Sequence, residues 1–233
     1  MRAMILAAGR GNRMRPLTDH TPKPLLEVNG RPLIIHLLQS LSHAGFAEII
    51  INLGHLSEKI ERYLGNGAQF NVKLHYSYED PVLETGGGIA KVLPWLQQDK
   101  HSPFLVVSGD IYTDYPFEKI KATAEQRMHT STLAHLVLVD NPPHHLKGDY
   151  ALCPDGRVND MGGPLYNFAG IGVYRAELFK DCPKGSFRLP DLFKKAFATQ
   201  GVTGEYYAGK WFNIGTPEQL KQVNEQYHSE EKL

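Results

Sequence analysis

Short apolar runs recur along the first half of the chain, and stretches with helical spacing separate them. Ala3–Ala8 reads as a buried strand that ends at Gly9. Pro32–Ala44 places Leu33, Ile34, Leu37, Leu38 and Leu41 on one helical face, with Pro at its start and Gly45 just past its end. Glu48–Asn52 is a second strand. Ser57–Leu64 is a short helix, with Ser57 as its cap and Gly65 as its stop. Val72–Tyr78 is a third strand, Gly88–Leu96 starts a third helix, and Phe104–Ser108 is a fourth, apolar strand running into Gly109-Asp110.

The pattern changes after residue 130. Leu133–Asp140 and Asn167–Tyr174 read as strands. Between them, Asp149–Cys153 and Arg157–Asp160 flank Pro154-Asp155-Gly156, a hairpin signal. Leu189–Thr199 is a helix and Trp211–Ile214 a short strand. Thr216–Tyr227 is a closing helix, capped by Thr216 with Pro217 at its first position.

Strands alternating with helices predict an α/β fold: a Rossmann-like mixed, mainly parallel sheet flanked by helices. In such sheets ligands bind beyond the C-terminal ends of the strands. Gly9 and Asp110 both stand at such ends, so positions about a hundred residues apart can meet at one crevice. No linker, repeat or low-complexity stretch divides the chain. It reads as a single domain over residues 1–233, in two parts, 1–130 and 131–233.

Composition narrows the function classes. With 42% hydrophobic and 21% charged residues, the chain can fill a core and remain in solution. No apolar run approaches the ~20 residues of a membrane span. Two cysteines, Cys153 and Cys182, make neither a disulfide framework nor a zinc site, and a reducing, cytoplasmic compartment is expected. The formal net charge is zero, which argues against nucleic acid as a partner. Residues 1–31, however, carry Arg2, Arg10, Arg13, Arg15, Lys23 and Arg31 against only Asp19 and Glu27, a local excess of four positive charges.

That excess coincides with unusual backbone chemistry. In Leu6-Ala7-Ala8-Gly9-Arg10-Gly11-Asn12-Arg13-Met14-Arg15-Pro16-Leu17, two glycines let successive N–H groups turn toward an anion. Arginines chelate phosphate oxygens with paired donors. Lys23 lies between Pro22 and Pro24, so its ammonium is a placed point charge. The string is neither a P-loop nor a dinucleotide fingerprint. Asp110 is a second chemical signal, because a carboxylate at the end of a buried strand is costly unless it is paired or holds a metal.

The full string, with Thr21-Pro22-Lys23-Pro24-Leu25, resembles the signature of the sugar-1-phosphate nucleotidyltransferases. The resemblance continues through Leu83-Glu84-Thr85-Gly86-Gly87-Gly88-Ile89, Gly109-Asp110, His135–Pro142 and Trp211–Thr216. Within the family it is strongest to the short bacterial branch that uridylylates N-acetylmuramate α-1-phosphate in peptidoglycan recycling.

The resemblance implies roles, with residues 1–130 as the nucleotide-binding part and 131–233 as the sugar-phosphate-binding part. Ala8, Gly9 and Gly11 wrap a nucleoside triphosphate, UTP in this branch, and Arg15 holds its β- and γ-phosphates. Lys23 bridges the α-phosphate and the attacking sugar phosphate. Glu84 and Gly88 belong to the base-recognition stretch, with Glu84 accepting from the N3–H of a uracil. Alternatively, the three glycines form a plain strand-to-helix turn. Asp110 holds Mg2+, and Asn213 stands where the family usually has a second metal-binding aspartate, a departure that removes one charge from the metal site. Asp149, Asn167 and Gly170 match positions that contact the sugar. His144-His145 lacks further ligands at metal spacing and reads as a surface loop. The expected partners are the triphosphate and a sugar-1-phosphate, with no nucleic acid and no membrane, in a monomer or small homo-oligomer. Relatives acting on dTTP with glucose-1-phosphate or GTP with mannose-1-phosphate, and a binding module without catalysis, remain as alternatives.

Overall fold

The computed structural model describes residues 1–99, 101–128 and 131–230. β1 (Ala3–Leu6) leads into the Gly-rich loop, which ends in a small antiparallel pair, β2 (Glu27–Val28) and β3 (Arg31–Pro32). Then come α1 (Leu33–His43), β4 (Glu48–Leu53), α2 (Ser57–Leu64), β5 (Lys73–Tyr78), α3 (Glu84–Leu96) and β6 (Phe104–Ser108). β7 (Ile111–Thr113), α4 (Phe117–Arg127), β8 (Ala134–Val139), β9 (Tyr150–Leu152), β10 (Val158–Asn159) and β11 (Leu165–Tyr174) follow. The chain continues through α5 (Pro190–Ala198), β12 (Val202–Tyr206), β13 (Trp211–Asn213) and α6 (Pro217–Glu230).

A nine-stranded mixed sheet runs through both halves of the chain. Its first-half strands, in the order β5-β4-β1-β6, are all parallel. β11 then joins antiparallel to β6, and β8 and β9 pair antiparallel with β11. β1 has β4 on one side and β6 on the other, so the chain reverses its direction of growth at β1. That is the switch point at which α/β sheets open a crevice, and both the Gly-rich loop and Asp110 leave the sheet there.

The alternation along β1 divides the core. Ala3 and Ile5 pack with α1, α2 and α4, whereas Met4 and Leu6 face the side covered by α3 and α5. A third small core of Met14, Leu26, Val28, Leu33, Ile214 and Val223 ties the N-terminal loop to α6. Met14 is fully buried. Burial of such a side chain contributes about 1.5–3 kcal/mol, which helps to hold a loop that lies outside the main sheet.

Three elements differ from the sequence expectation. α3 begins at Glu84, four residues before Gly88, because tertiary partners satisfy its first N–H groups. The Gly86 and Gly87 N–H groups both donate to the Phe187 carbonyl, at 2.9 and 3.1 Å. Ser57 is the first residue of α2, not its cap; the cap position is Leu56 at φ +54°. α6 continues to Glu230, past Tyr227. In addition, β7, α4 and β12 were not anticipated. α4 buries only Phe117, Ile120 and Ala124, and β12 carries Gly204 and Glu205 among its five residues, so both patterns are weak.

Candidate active site

The ends of three neighbouring strands are bound together by one buried amide. At the end of β1, the Ala7 N–H donates to Asn52 Oδ1 at 2.7 Å. Asn52 Nδ2 donates to Glu79 Oε1 at 2.8 Å, and Glu79 Oε2 accepts the Leu83 N–H at 2.9 Å. Asn52 and Glu79 are both buried. Buried polar groups are costly unless they are bonded, and here each bond also fixes the path of a loop. Neither residue was singled out in the sequence, although Asn52 is a polar position near the end of an apolar strand, the feature that marked Asp110.

From Ala7 the Gly-rich loop turns back on itself. Gly11 adopts φ +67°, and a Cβ there would meet Thr18 Cγ2 at 2.9 Å. The buried Thr18 hydroxyl donates to the Gly11 carbonyl at 2.8 Å. The loop forms one wall of a cleft of about 480 Å³, lined by Ala8, Gly9, Arg10, Gly11 and Arg13 among others. Glu79, Glu84 and Thr85 also line this cleft, as do Gly109, Asp110 and Lys23.

Lys23 Nζ donates to Asp110 Oδ2 at 2.7 Å, and the lysine side chain is only 12% exposed. Pro22 is extended and Lys23 opens a 3-10 turn, so the ammonium is aimed by a stiff backbone. The Gly109 N–H donates to the Leu6 carbonyl at 2.8 Å, and a Cβ at Gly109 would approach that oxygen to 2.6 Å. The turn bearing Asp110 therefore lies against the end of β1. On its other side the Asp110 carbonyl accepts the Ile214 N–H at 2.8 Å, and β13 pairs with β7 so that Asn213 stands opposite Ile111.

A second lobe of about 290 Å³ adjoins the first. Leu6, Glu84, Thr85, Ser108 and Asp110 line both. Phe168, Ala169 and Gly170 enter the second lobe from a register shift in β11 between Phe168 and Gly172, the kind of bulge that re-aims residues beside a site. Gly170 sits at φ +72° with Ser108 Oγ 2.6 Å from where a Cβ would stand. Trp211 Nε1–H donates to the Ala169 carbonyl at 2.8 Å, which sets β13 and Asn213 beside the bulge.

Several sequence expectations are redirected. Arg15 does not line the cleft; it is exposed and pairs with Asp19 at 3.1 Å. Arg10 and Arg13 line it instead, because the turn at Asn12–Met14 buries Met14 and sends Arg15 outward. Gly88 lies inside α3 and faces the buried pair: a Cβ there would come within 2.5 Å of Glu79 Oε1. The Gly86 and Gly87 N–H groups are taken by Phe187, so they are not free to contact a base. Glu84 does line both lobes, in an αL conformation at φ +59°. Such a conformation is uncommon for a non-glycine residue, and strain of this kind clusters at functional sites.

Of Asp149, Asn167 and Gly170, only Gly170 lines the second lobe. Asp149 Oδ2 accepts the Phe168 N–H at 2.8 Å and its Oδ1 meets His145 Nε2 at 3.0 Å. Asn167 is buried and donates to the Phe168 carbonyl at 2.9 Å. Both shape the bulge from behind and neither lines the lobe. His144 meets Gln219 Nε2 at 3.0 Å, in keeping with a loop role.

Among the described residues no cluster of three His, Cys, Asp or Glu side chains forms. The protein offers a divalent cation the carboxylate of Asp110 and the amide oxygen of Asn213, both on the second lobe. Two hard oxygen donors suit an ion that completes its shell with waters and substrate phosphates.

A cleft at the switch point, a folded Gly- and Arg-rich loop and a lysine paired to a strand-end aspartate are the parts of a nucleotidyl-transfer site. The nucleotidyl transferase family profile matches residues 2–148, and the chain belongs to that family. It is 46% identical over 227 residues, 96% of either chain, to the N-acetylmuramate alpha-1-phosphate uridylyltransferase of Neisseria meningitidis serogroup B. It is 32% identical to the protein of the same name from Caulobacter vibrioides, over 93% of this chain and 92% of that one. The mannose-1-phosphate guanylyltransferase catalytic subunit beta of Danio rerio is 28% identical, and the match spans 62% of its length. A crystal structure described as a glucose-1-phosphate thymidylyltransferase of Bacillus anthracis superposes with a TM-score of 0.83 over 97% of this chain and 94% of that one, at 21% identity. That likeness establishes the fold. Enzymes of this family act on a nucleoside triphosphate and a sugar-1-phosphate and generally use a divalent metal. No helix among the described residues is long and apolar enough to cross a membrane.

Proposed function

We propose that this enzyme transfers UMP from UTP to N-acetylmuramate α-1-phosphate and releases pyrophosphate, in the cytoplasm. The observation that carries the reading is the junction of the two lobes at Asp110, with Lys23 on the larger lobe bonded to it. The uridylyltransferase relative that matches 96% of the chain supports the choice of substrates. The larger lobe, built from the first 130 residues apart from Gly215, takes the triphosphate. The smaller lobe, to which the second half contributes Phe168–Gly170, Arg188 and Asn213, takes the sugar phosphate.

The acceptor phosphate is already largely ionised near neutral pH, since a phosphate's second pKa is about 6. It needs no general base. The residues act by positioning and by charge. Arg10 and Arg13 clasp the triphosphate against the loop N–H groups. Lys23 offsets the repulsion between the two approaching anions. Glu84 is placed at the edge of both lobes and would accept from the N3–H of uracil. Mg2+, held by Asp110 and Asn213, would supply further positive charge to the phosphate oxygens.

Pyrophosphate release measured over a matrix of UTP, dTTP, GTP and CTP against sugar-1-phosphates tests the proposal. UTP with N-acetylmuramate α-1-phosphate should exceed every other pair by at least about tenfold in kcat/KM, a margin of one good hydrogen bond. A different preferred pair, or no turnover with any pair, would sink it.

A further inference from the structure

The smaller lobe contains a cation that the transfer reaction leaves without a task. Arg188 lines this lobe and not the larger one, and it is the only Lys or Arg among the lining residues. Among the described residues its guanidinium is in no ion pair. The same lobe is lined by the apolar side chains of Phe168, Leu189, Pro190 and Val106, and by Glu84 and Asp110 where it joins the larger lobe.

The backbone around Arg188 is held firmly. Phe187 N–H donates to the Leu83 carbonyl at 3.2 Å, and its own carbonyl accepts both helical N–H groups of Gly86 and Gly87. On the other side the Leu189 N–H donates to Thr85 Oγ1 at 2.9 Å. Phe187 and Leu189 are both buried, and Arg188 between them is exposed. The absence of side chains at Gly86 and Gly87 lets this strap approach α3: a Cβ at Gly87 would meet the Gly185 carbonyl at 2.2 Å. A fixed backbone presenting to the lobe a guanidinium that is in no ion pair among the described residues suits recognition of a ligand anion better than support of the fold.

We infer that Arg188 reads a carboxylate carried on the acceptor sugar, and so sets the preference for an acceptor bearing a lactyl ether. The inference rests on the acceptor assignment proposed above. An N-acetylmuramoyl phosphate carries two anions, the reacting phosphate and the lactyl carboxylate. The phosphate has to meet the nucleotide where the lobes join, at Asp110, which is bonded to Lys23 on the larger-lobe side. Arg188 approaches from the smaller lobe alone and is available to the second anion. The apolar side chains lining the lobe receive the lactyl and acetyl methyl groups.

The test compares two acceptors that differ only in the lactyl ether, N-acetylmuramate α-1-phosphate and N-acetylglucosamine α-1-phosphate, each with UTP. In Arg188→Gln the ratio of their kcat/KM values should collapse by about 10- to 100-fold, the worth of one charged hydrogen bond. The loss should fall on the acceptor KM while the KM for UTP stays put, and Arg188→Lys should restore part of the ratio. An equal fall on both acceptors would assign Arg188 to the shared phosphate and overturn the inference. A wild-type enzyme indifferent to the lactyl group would overturn the acceptor assignment together with it, and that outcome is visible before any variant is made.

Discussion

Lys23 and Asp110 form an ion pair at 2.7 Å across 87 residues of sequence, at the place where the two lobes meet. Each keeps the other compensated in a partly buried site until substrates enter. Lys23→Ala should lower turnover by about 3–4 kcal/mol of barrier, the loss of one strong electrostatic donor. Asp110→Asn should remove most metal-dependent turnover. The two changes should be far from additive, because both act on one unit. Steady-state pyrophosphate release by the single and double variants measures this. A Lys23→Ala enzyme within threefold of wild type would take the lysine out of the mechanism.

The Asn52 amide carries a different load. Its removal leaves the Ala7 N–H and the buried Glu79 carboxylate each short of a partner. Asn52→Ala should destabilise the fold by about 1–3 kcal/mol, the cost of an unsatisfied buried group. The Gly-rich loop should also lose its fixed origin, and the KM for the triphosphate should rise. Chemical denaturation and triphosphate titration read the two effects separately. An unchanged denaturation midpoint would show that the bridge adds no stability.

The arginines of the loop should separate cleanly. Arg13 lines the cleft and its guanidinium lies 3.1 Å from where a Cβ on Gly215 would stand. Arg15 is committed to Asp19 at the surface, where an exposed pair is worth little. Arg13→Ala should raise the triphosphate KM by about tenfold or more, the loss of a charged hydrogen bond, and Arg15→Ala should change it by less than about twofold. The reverse order would restore Arg15 to the phosphates.

In the proposed metal site Asn213 would supply a neutral oxygen. Asn213→Asp should add charge and lower the magnesium concentration at half-maximal rate. A magnesium titration that is unmoved, or a loss of rate at saturating metal, would remove residue 213 from the metal site.

Away from the site, Glu205 on β12 supplies a pH dependence. Burial pushes its carboxyl up, but the His135 imidazole 3.9 Å away and the hydrogen bond donated by the Tyr115 hydroxyl outweigh this and hold it below the usual carboxylate value. A depressed folded-state value means that the contribution to stability is present above the unfolded value of about 4.3 and is lost as pH falls through the folded one. Glu205→Gln should therefore lower the melting temperature at pH 6 to 7, and the gap to wild type should close below about pH 4. A gap that persists at pH 3 would assign the effect to packing.

Much of the first half was legible because its signals are local. The continuous apolar run of Ala3–Leu6 and the spacing along Leu33–Leu41 announce a strand and a helix without help from elsewhere. Gly11 in a tight turn, Lys23 between two prolines and Asp110 at a strand end are readable for the same reason. α4 and β12 were missed because their buried faces are sparse, and their placement depends on partners contributed by the rest of the sheet.

The sequence by itself determined the α/β class, and it marked out the Gly- and Arg-rich loop, Lys23 and Asp110 as chemically unusual. Only the tertiary structure decided which side chains reach the cleft. Arg15 and Arg13 are two residues apart, yet the burial of Met14 between them sends one outward and leaves the other on the cavity wall. Asp149 and Asn167 bear suitable chemistry, yet the bulge in β11 uses their hydrogen bonds for its own geometry. Asn52 carries only the faint signature of a polar position in an apolar strand, and Glu79 and Arg188 carry none. They acquire their roles from strand order and from the strap against α3, contacts between residues tens of positions apart that spacing along the chain does not encode.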